Sequence, residues 1–563
     1  MTSGQSVLGP AIIKEETGTN IVEPGWSAQI NEFGHLILSR HIKLERKEAL
    51  GTKADPVMLE VFNNLFMSIA EQMGATLANT AYSVNIKERL DFSCALFDET
   101  GGLVANAPHV PVHLGSMSES IRTVIRRNPD MTSGDVFMLN APFNGGTHLP
   151  DVTVITPVFD EASGQAIFYV ASRGHHADIG GKTPGSAPPD SRVIEEEGVV
   201  IDNFKLVERG ILREAETRAL LASGIYPCRN IDENLADLAA QIAANETGVR
   251  EVKKMITQFG LDVVQSYMMH VQDNAAESVR RVISALKGGQ YDYELDNGEF
   301  IRVAVRVDRE NQTAEIDFTG TAEKNPFNYN APLAVCHAVV LYVFRALVGA
   351  QIPLNEGCFR PLKIIAPEGS MINAQYPSAV IAGNTEVSQL MCNALICALG
   401  AMAGSQGTMN NYVWGNSRLQ NYETICGGTG AGPDFDGCSA VQTHMTNTRS
   451  TDPEVLEFRF PVRLEELSIR KGSGGKGAHN GGDGITRRMR FLEQMTVTTQ
   501  CSHRRVPPVC LNGGASGEVG REWIERTDGT RVAHAGNDQN EVYPGDVFVM
   551  QTPSGGGMGK RPD

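Results

Sequence analysis

Apolar residues at Val57, Leu59, Val61, Leu65 and Ile69 recur near helical spacing, which predicts an amphipathic helix from Asp55 to Asn79. Asp91-Phe-Ser-Cys-Ala-Leu-Phe97 reads as a strand, ended by a turn at Asp98-Glu-Thr-Gly-Gly102. Two further apolar runs, Val152 to Phe159 and Ala166 to Ala171, flank the polar stretch Asp160-Glu-Ala-Ser-Gly164 and predict a hairpin. Helical periodicity dominates from about Glu214 to Leu286, where Leu235, Leu238, Ala239 and Ile242 repeat at three and four; Asn230, with Glu233 three on, is a capped start. Beyond Lys287-Gly-Gly289 the pattern alternates, with strands at Phe300 to Arg306 and Ala314 to Phe318, then helices near 333–349 and 385–403. From about Gly427 the chain is glycine-dense and strand-like, ending in Gly555-Gly-Gly-Met-Gly559; its loops Lys471 to Gly477 and Asn480 to Gly484 read by default as sharp turns.

These elements predict an α+β, multi-domain mixed architecture. A weakly structured arm covers 1–50, an α+β region with the candidate chemistry 51–213, a helical region 214–290, a second α+β region 291–426, and a strand-rich, glycine-rich region 427–563. No fixed-period repeat supports a solenoid. The most apolar stretch, Ala331 to Ala350, has the length of a membrane span but contains His337 and Arg345 and begins at Pro332, so it reads as a buried core helix.

A chain of 563 residues exceeds one ordinary core and predicts two to four domains. Its 49 Lys plus Arg against 66 Asp plus Glu give −17, which argues against nucleic acid or an anionic membrane as partner. Met1 to Trp26 lacks the apolar run of a signal peptide. Ten cysteines without a Cys-x-x-Cys pair, three of them (Cys336, Cys392, Cys397) in apolar segments, predict reduced thiols in a cytoplasmic protein.

The chemistry gathers around the predicted hairpin. His148 and Asp151 precede its first strand, and the pair His175–His176 follows its second, so the turn would return one of those histidines to His148 and Asp151. Two imidazoles and a carboxylate suit Zn²⁺, Mn²⁺ or Fe²⁺; the same residues also read as loop polar groups bonded to backbone. Asp91 adds a candidate carboxylate or a turn-leading Asp. His109-Val-Pro-Val-His113 is expected to be extended, both histidines facing one side as ligands, acid–base groups or structural residues. Gly180-Gly-Lys-Thr183 is not a phosphate loop, because position 176 is His and Pro184 blocks the helix that should follow. The loops Lys471 to Gly477 and Asn480 to Gly484 lack the strand–helix context of a dinucleotide fingerprint. No Gly-x-Ser-x-Gly elbow supports a serine hydrolase, which leaves metal-held water as the generic proposal.

Several stretches together resemble the hydantoinase B/5-oxoprolinase family: Asn85 to Cys94, His109 to Met117, Gly145 to Thr153, Asp317 to Thr321, Ile352 to Gly357, His444 to Arg449 and Arg470 to Gly475. The resemblance runs from about residue 50 to the C-terminus in family order. It implies a B-type subunit in a hetero-oligomer with a larger A-type partner that binds ATP with Mg²⁺. The implied activity is ATP-dependent hydrolysis of cyclic amides (5-oxoproline, hydantoins, lactams). The alternatives are a subunit of an acetone- or acetophenone-type carboxylase, or a non-catalytic scaffold. It further implies a divalent transition metal, zinc or manganese foremost, on His148, Asp151 and His175, with Asp91 as a ligand in lactam-hydrolysing relatives; His175 versus His176 stays open. His109 or His113 would carry protons.

Overall fold

The computed structural model describes residues 1–42, 51–160, 162–349, 352 and 354–561. Contact density divides the chain into two units, Met1–Lys53 and Ala54–Asp563. In the first, the expected weak arm is instead built of strands: Ser6–Leu8, Trp26–Ile30 and Leu36–Arg40 form an antiparallel sheet, and Ala11–Lys14 pairs with Thr19–Val22. Short apolar runs separated by turn glycines at positive φ, Gly25 at 83° and Gly34 at 80°, favour hairpins over an unstructured tail. Residues 43–50 of that arm lie outside the described residues.

The second unit opens with helix Pro56–Thr80, started by Pro56 in its first turn and by the Asp55 side chain, which accepts the Met58 N–H at 2.9 Å. Its buried face, Phe62, Phe66, Ile69, Met73 and Leu77, packs along helix Ile231–Phe259. The Asn230 side chain accepts the Glu233 N–H at 3.4 Å to start that helix, and Gly260 (φ 91°) separates it from Leu261–Ala285.

Helix Ile231–Phe259 covers a seven-stranded antiparallel sheet of spatial order Ile211–Leu212, Phe204–Glu208, Val136–Leu139, Asp151–Phe159, Ala166–His175, Phe92–Phe97 and Leu103–Asn106. The predicted hairpin forms its centre. Both of its strands are buried nearly throughout, which explains their almost continuous apolar runs. Helix side chains grip the sheet backbone: the Gln241 amide donates to Val152 O at 2.9 Å, and Asn245 donates to Val154 O at 3.0 Å.

The largest apolar cluster surrounds helices Leu333–Leu347 and Ser388–Ala398, packed against the sheet Gly289–Glu294, Phe300–Asp308, Thr313–Asp317 and Leu362–Ile365. No helix among the described residues is long and apolar enough to cross a membrane. Two C-terminal sheets share a core of Tyr412, Trp414, Met489, Phe491 and Phe548. In the glycine-dense segments beside them Gly472, Gly513, Gly529 and Gly545 take the expected turns at positive φ, whereas Gly428, Gly482 and Gly555 lie in stretches of backbone packed directly on one another. A Cβ on Gly555 would stand 1.7 Å from Thr429 O, and one on Gly428 would stand 1.9 Å from Gly482 O. Amides cross between these stretches, Gly482 N to Thr429 O at 2.9 Å and Gly555 N to Gly482 O at 2.8 Å, so backbone bonding continues without a conventional sheet.

Candidate metal centre

Hairpin register places His175 directly opposite Asp151, and its Nδ1 lies 3.2 Å from Asp151 Oδ1. His148 returns to the same carboxylate through a tight glycine turn. Gly145 holds φ at 97°, and a Cβ on Gly146 would stand 2.1 Å from Asn140 O. That turn sets His148 Nδ1 3.0 Å from Asp151 Oδ2. One ligand atom from each of His148, Asp151 and His175 lies within 4.8 Å of the others, and all three residues are buried. His113 Nε2 stands 3.1 Å from Asp151 Oδ2, with its Nδ1 3.3 Å from Ser93 Oγ. Thr147 donates to Asp151 Oδ2 at 3.1 Å.

Asn384 closes the cluster from a π-helical turn, Gly383–Val387: its amide nitrogen lies 3.1 Å from His148 Nδ1 and 3.2 Å from Asp151 Oδ2. The Asn384 Oδ1 atom is buried without a hydrogen-bond partner. Two imidazoles and a carboxylate converging in a buried site, beside a residue with an orphaned amide oxygen, fit a divalent zinc, manganese or iron ion. A cavity of about 10 Å³ adjoins both imidazoles, between Ala187, Ile381, Thr385, Asn411, Tyr422 and Gln500. The His175 ring stacks on Tyr422 at 4.5 Å; the Tyr422 hydroxyl donates to Asn411 Oδ1 at 2.8 Å, and the Asn411 amide donates to Glu386 Oε1 at 2.8 Å.

Burial alone would raise the Asp151 carboxyl, but His113 and His148 beside it hold it well below the usual carboxylate range. Burial pushes His148 down, with Asp151 opposing. Fully buried Arg173 donates to Thr153 Oγ1 at 2.7 Å, Ser116 Oγ at 2.6 Å and Ser120 Oγ at 2.8 Å. Burial lowers its guanidinium to about 10, and Asp151 is the charge that supports it.

Of the residues singled out in the sequence, the structure gathers His148, Asp151, His175 and His113. His176 turns away, with Nδ1 3.1 Å from the Asn234 amide and Nε2 3.1 Å from Gln241 Oε1. Asp91 lends its backbone carbonyl to the His175 amide at 3.0 Å, but its carboxylate is not among the converging ligand atoms. His109 accepts the Cys94 N–H at 3.0 Å and faces Gly74; burial and nearby His113 push it down to about 4. The two histidines do not share an extended segment as expected. Pro111 starts a short helix, Pro111–Leu114, because at a first helical position its fixed φ fits and its missing N–H is not needed. Asn384, Tyr422 and Arg173 escaped sequence reading: Asn384 and Tyr422 lie far along the chain from the hairpin, and no spacing motif marks any of the three.

The profile of the family described as hydantoinase B/oxoprolinase matches residues 55–561. 5-oxoprolinase 1 of Arabidopsis thaliana is 44% identical over 584 residues, covering 99% of this chain and 46% of that protein. The chain spans about half the length of the 5-oxoprolinases it matches. The ATP-dependent caprolactamase from Pseudomonas jessenii superposes with a TM-score of 0.82 at 25% identity, covering 91% of this chain and 92% of that one. Nucleotide-free acetone carboxylase superposes with a TM-score of 0.82 at 17% identity, covering 92% and 78%, a likeness of fold.

Proposed function

The chain belongs to the hydantoinase B/oxoprolinase family, and from that membership we propose that it is the ring-opening component of an ATP-dependent cyclic-amide hydrolase. The observation that carries this reading is the convergence of His148, Asp151 and His175 in one buried site. Relatives named 5-oxoprolinase, at 40–44% identity, favour 5-oxoproline or a related hydantoin or lactam ring as substrate. The ATP-using component, with its Mg²⁺, is either an A-type partner chain or further sequence in a longer protein. All ten cysteines are free, in keeping with a reducing, cytoplasmic setting.

An unstrained amide resists water because resonance stabilises it. Phosphorylation of the amide oxygen by the ATP-using component turns the ring carbonyl into an electrophile with a phosphate leaving group. His148, Asp151 and His175 would hold a zinc or manganese ion, which when bound would supply Lewis acidity and a water of lowered pKa. His113 keeps the Asp151 carboxylate oriented through its Nε2, 3.1 Å from Oδ2. Tyr422, stacked on His175, fixes the plane of that imidazole. Adjoining space of about 10 Å³ admits little more than a water-sized group and keeps bulk solvent away.

Replacing His148 or Asp151 by Ala should lower ATP-coupled opening of 5-oxoproline by more than roughly 100-fold, beyond what loss of a supporting contact costs. Full activity with unchanged metal content would remove the reading. A carboxylase reading has only a fold likeness behind it, and ATP turnover that requires bicarbonate would favour it instead.

A further inference from the structure

Next to the metal centre lies a larger cavity of about 830 Å³, within the range of small-molecule sites. Consecutive residues of one segment border both spaces: Gln500 lines the small cavity, and Cys501 and Ser502 line the large one. The wall is braced at a proline pair, where Gln500 donates to Pro188 O at 3.1 Å and Asn537 donates to Pro189 O at 2.8 Å.

The large cavity is charged against the trend of the molecule. In a chain of formal charge −17, its lining carries Arg504, Arg505, Arg521 and Arg531 against two carboxylates, Asp296 and Glu522. Both carboxylates are already engaged. Asp296 accepts the backbone N–H groups of Arg504, Arg505 and Val506 at 2.7, 3.0 and 2.8 Å, and buried Glu522 is paired with Arg504. Glu522 is thus neutralised by Arg504, whereas Asp296 keeps its charge while its oxygens are taken up by the three backbone N–H groups. Arg505 is held by Glu294 at 2.7 Å and Arg531 by Glu525 at 3.1 Å, whereas Arg521, exposed at the mouth, has no carboxylate partner within salt-bridge distance among the described residues. Phe327, Tyr329 and Trp523 add aromatic lining, with Arg192 over one face of Phe327 at 4.9 Å and Arg531 over one face of Trp523 at 5.3 Å.

We propose that this cavity is a binding site for a small organic anion. Its carboxylate or phosphate pairs with Arg521, and its compact apolar body lies against Phe327, Tyr329 and Trp523. Binding there needs no metal and does not rest on the ring-opening reading.

Trp523 is a built-in reporter, with the W523F variant as baseline. The whole chain is titrated with 5-oxoproline, with 2-pyrrolidone (the same ring without the carboxylate) and with inorganic phosphate, read by fluorescence and calorimetry. Saturable millimolar or tighter binding of an anion is expected, with 2-pyrrolidone at least about 10-fold weaker and R521A weakening the anion by about 10-fold. Stronger binding of 5-oxoproline supports a carboxylate ligand, and stronger binding of phosphate supports a phosphorylated one. Failure of both anions to bind, equal binding of the neutral ring, or unchanged affinity in R521A overturns the proposal. So does loss of binding in H148A with R521A unaffected, which would move the anion to the metal centre.

Discussion

A carboxylate without solvent ordinarily takes up a proton, and Asp151 escapes this because His113 and His148 stand 3.1 and 3.0 Å from its Oδ2. The two histidines play different parts: His148 also offers a ligand atom to the convergence point, whereas His113 only supports the carboxylate. H113A should therefore retain metal with an affinity lowered by about 10- to 100-fold, measured by competition with a chelator. H176A should leave metal affinity unchanged while costing about 1–3 kcal/mol in chemical denaturation, because Asn234 and Gln241 lose a buried partner. Equal metal loss in H113A and H176A would contradict the supporting role of His113. The core of the site was legible because one hairpin with a polar turn brings His148, Asp151 and the histidine pair together. The choice between His175 and His176 needed the register, which a one-residue slip would invert. Asn384 was not legible, since it comes from a distant turn by tertiary packing alone.

Among the elements, the segment that carries Asn384 is tied down by a second buried acid. Glu197 accepts the Val380 N–H at 3.0 Å, the Ile381 N–H at 3.1 Å and the Ser191 hydroxyl at 2.8 Å. Burial raises its carboxyl to about 7, against the hydrogen bonds that favour the charged form. The folded state thus holds a proton that the unfolded state releases between about pH 4.5 and 7, so this contribution is full below that window and is lost as pH rises through it. The loss amounts to about 3 kcal/mol. E197Q should flatten the fall in unfolding free energy between pH 5 and 8, and an unchanged slope would contradict the assignment. Helices at this scale were read well where caps and periodicity agreed, as at Asp55 and Asn230. The His109–His113 segment misled because a proline fits both a first helical turn and an extended chain.

At the scale of the whole molecule, the glycine-dense segments act as packing surface. Glycine frequency alone cannot separate a turn from backbone stacked on backbone, which is why the two were confused. G555A should be among the most destabilising single changes, above about 4 kcal/mol, because its Cβ would meet the Thr429 carbonyl. G529A, at φ 83° with nothing within 4 Å, should cost only about 1–2 kcal/mol of backbone strain. Thermal denaturation compares them, and equal costs would refute the stacked-backbone reading. The first unit shows the converse: its short strands leave no mark in the pattern, because each run is too brief to establish a period.

The central proposal is that His148, Asp151 and His175 hold a divalent ion. Its most direct test is the metal content of the purified chain after loading with zinc or manganese and removal of excess ion. The account predicts about one ion per wild-type chain, and less than about a tenth of that in folded D151A and H175A. A wild-type chain that retains no ion, or a D151A chain that keeps a full complement, would contradict it.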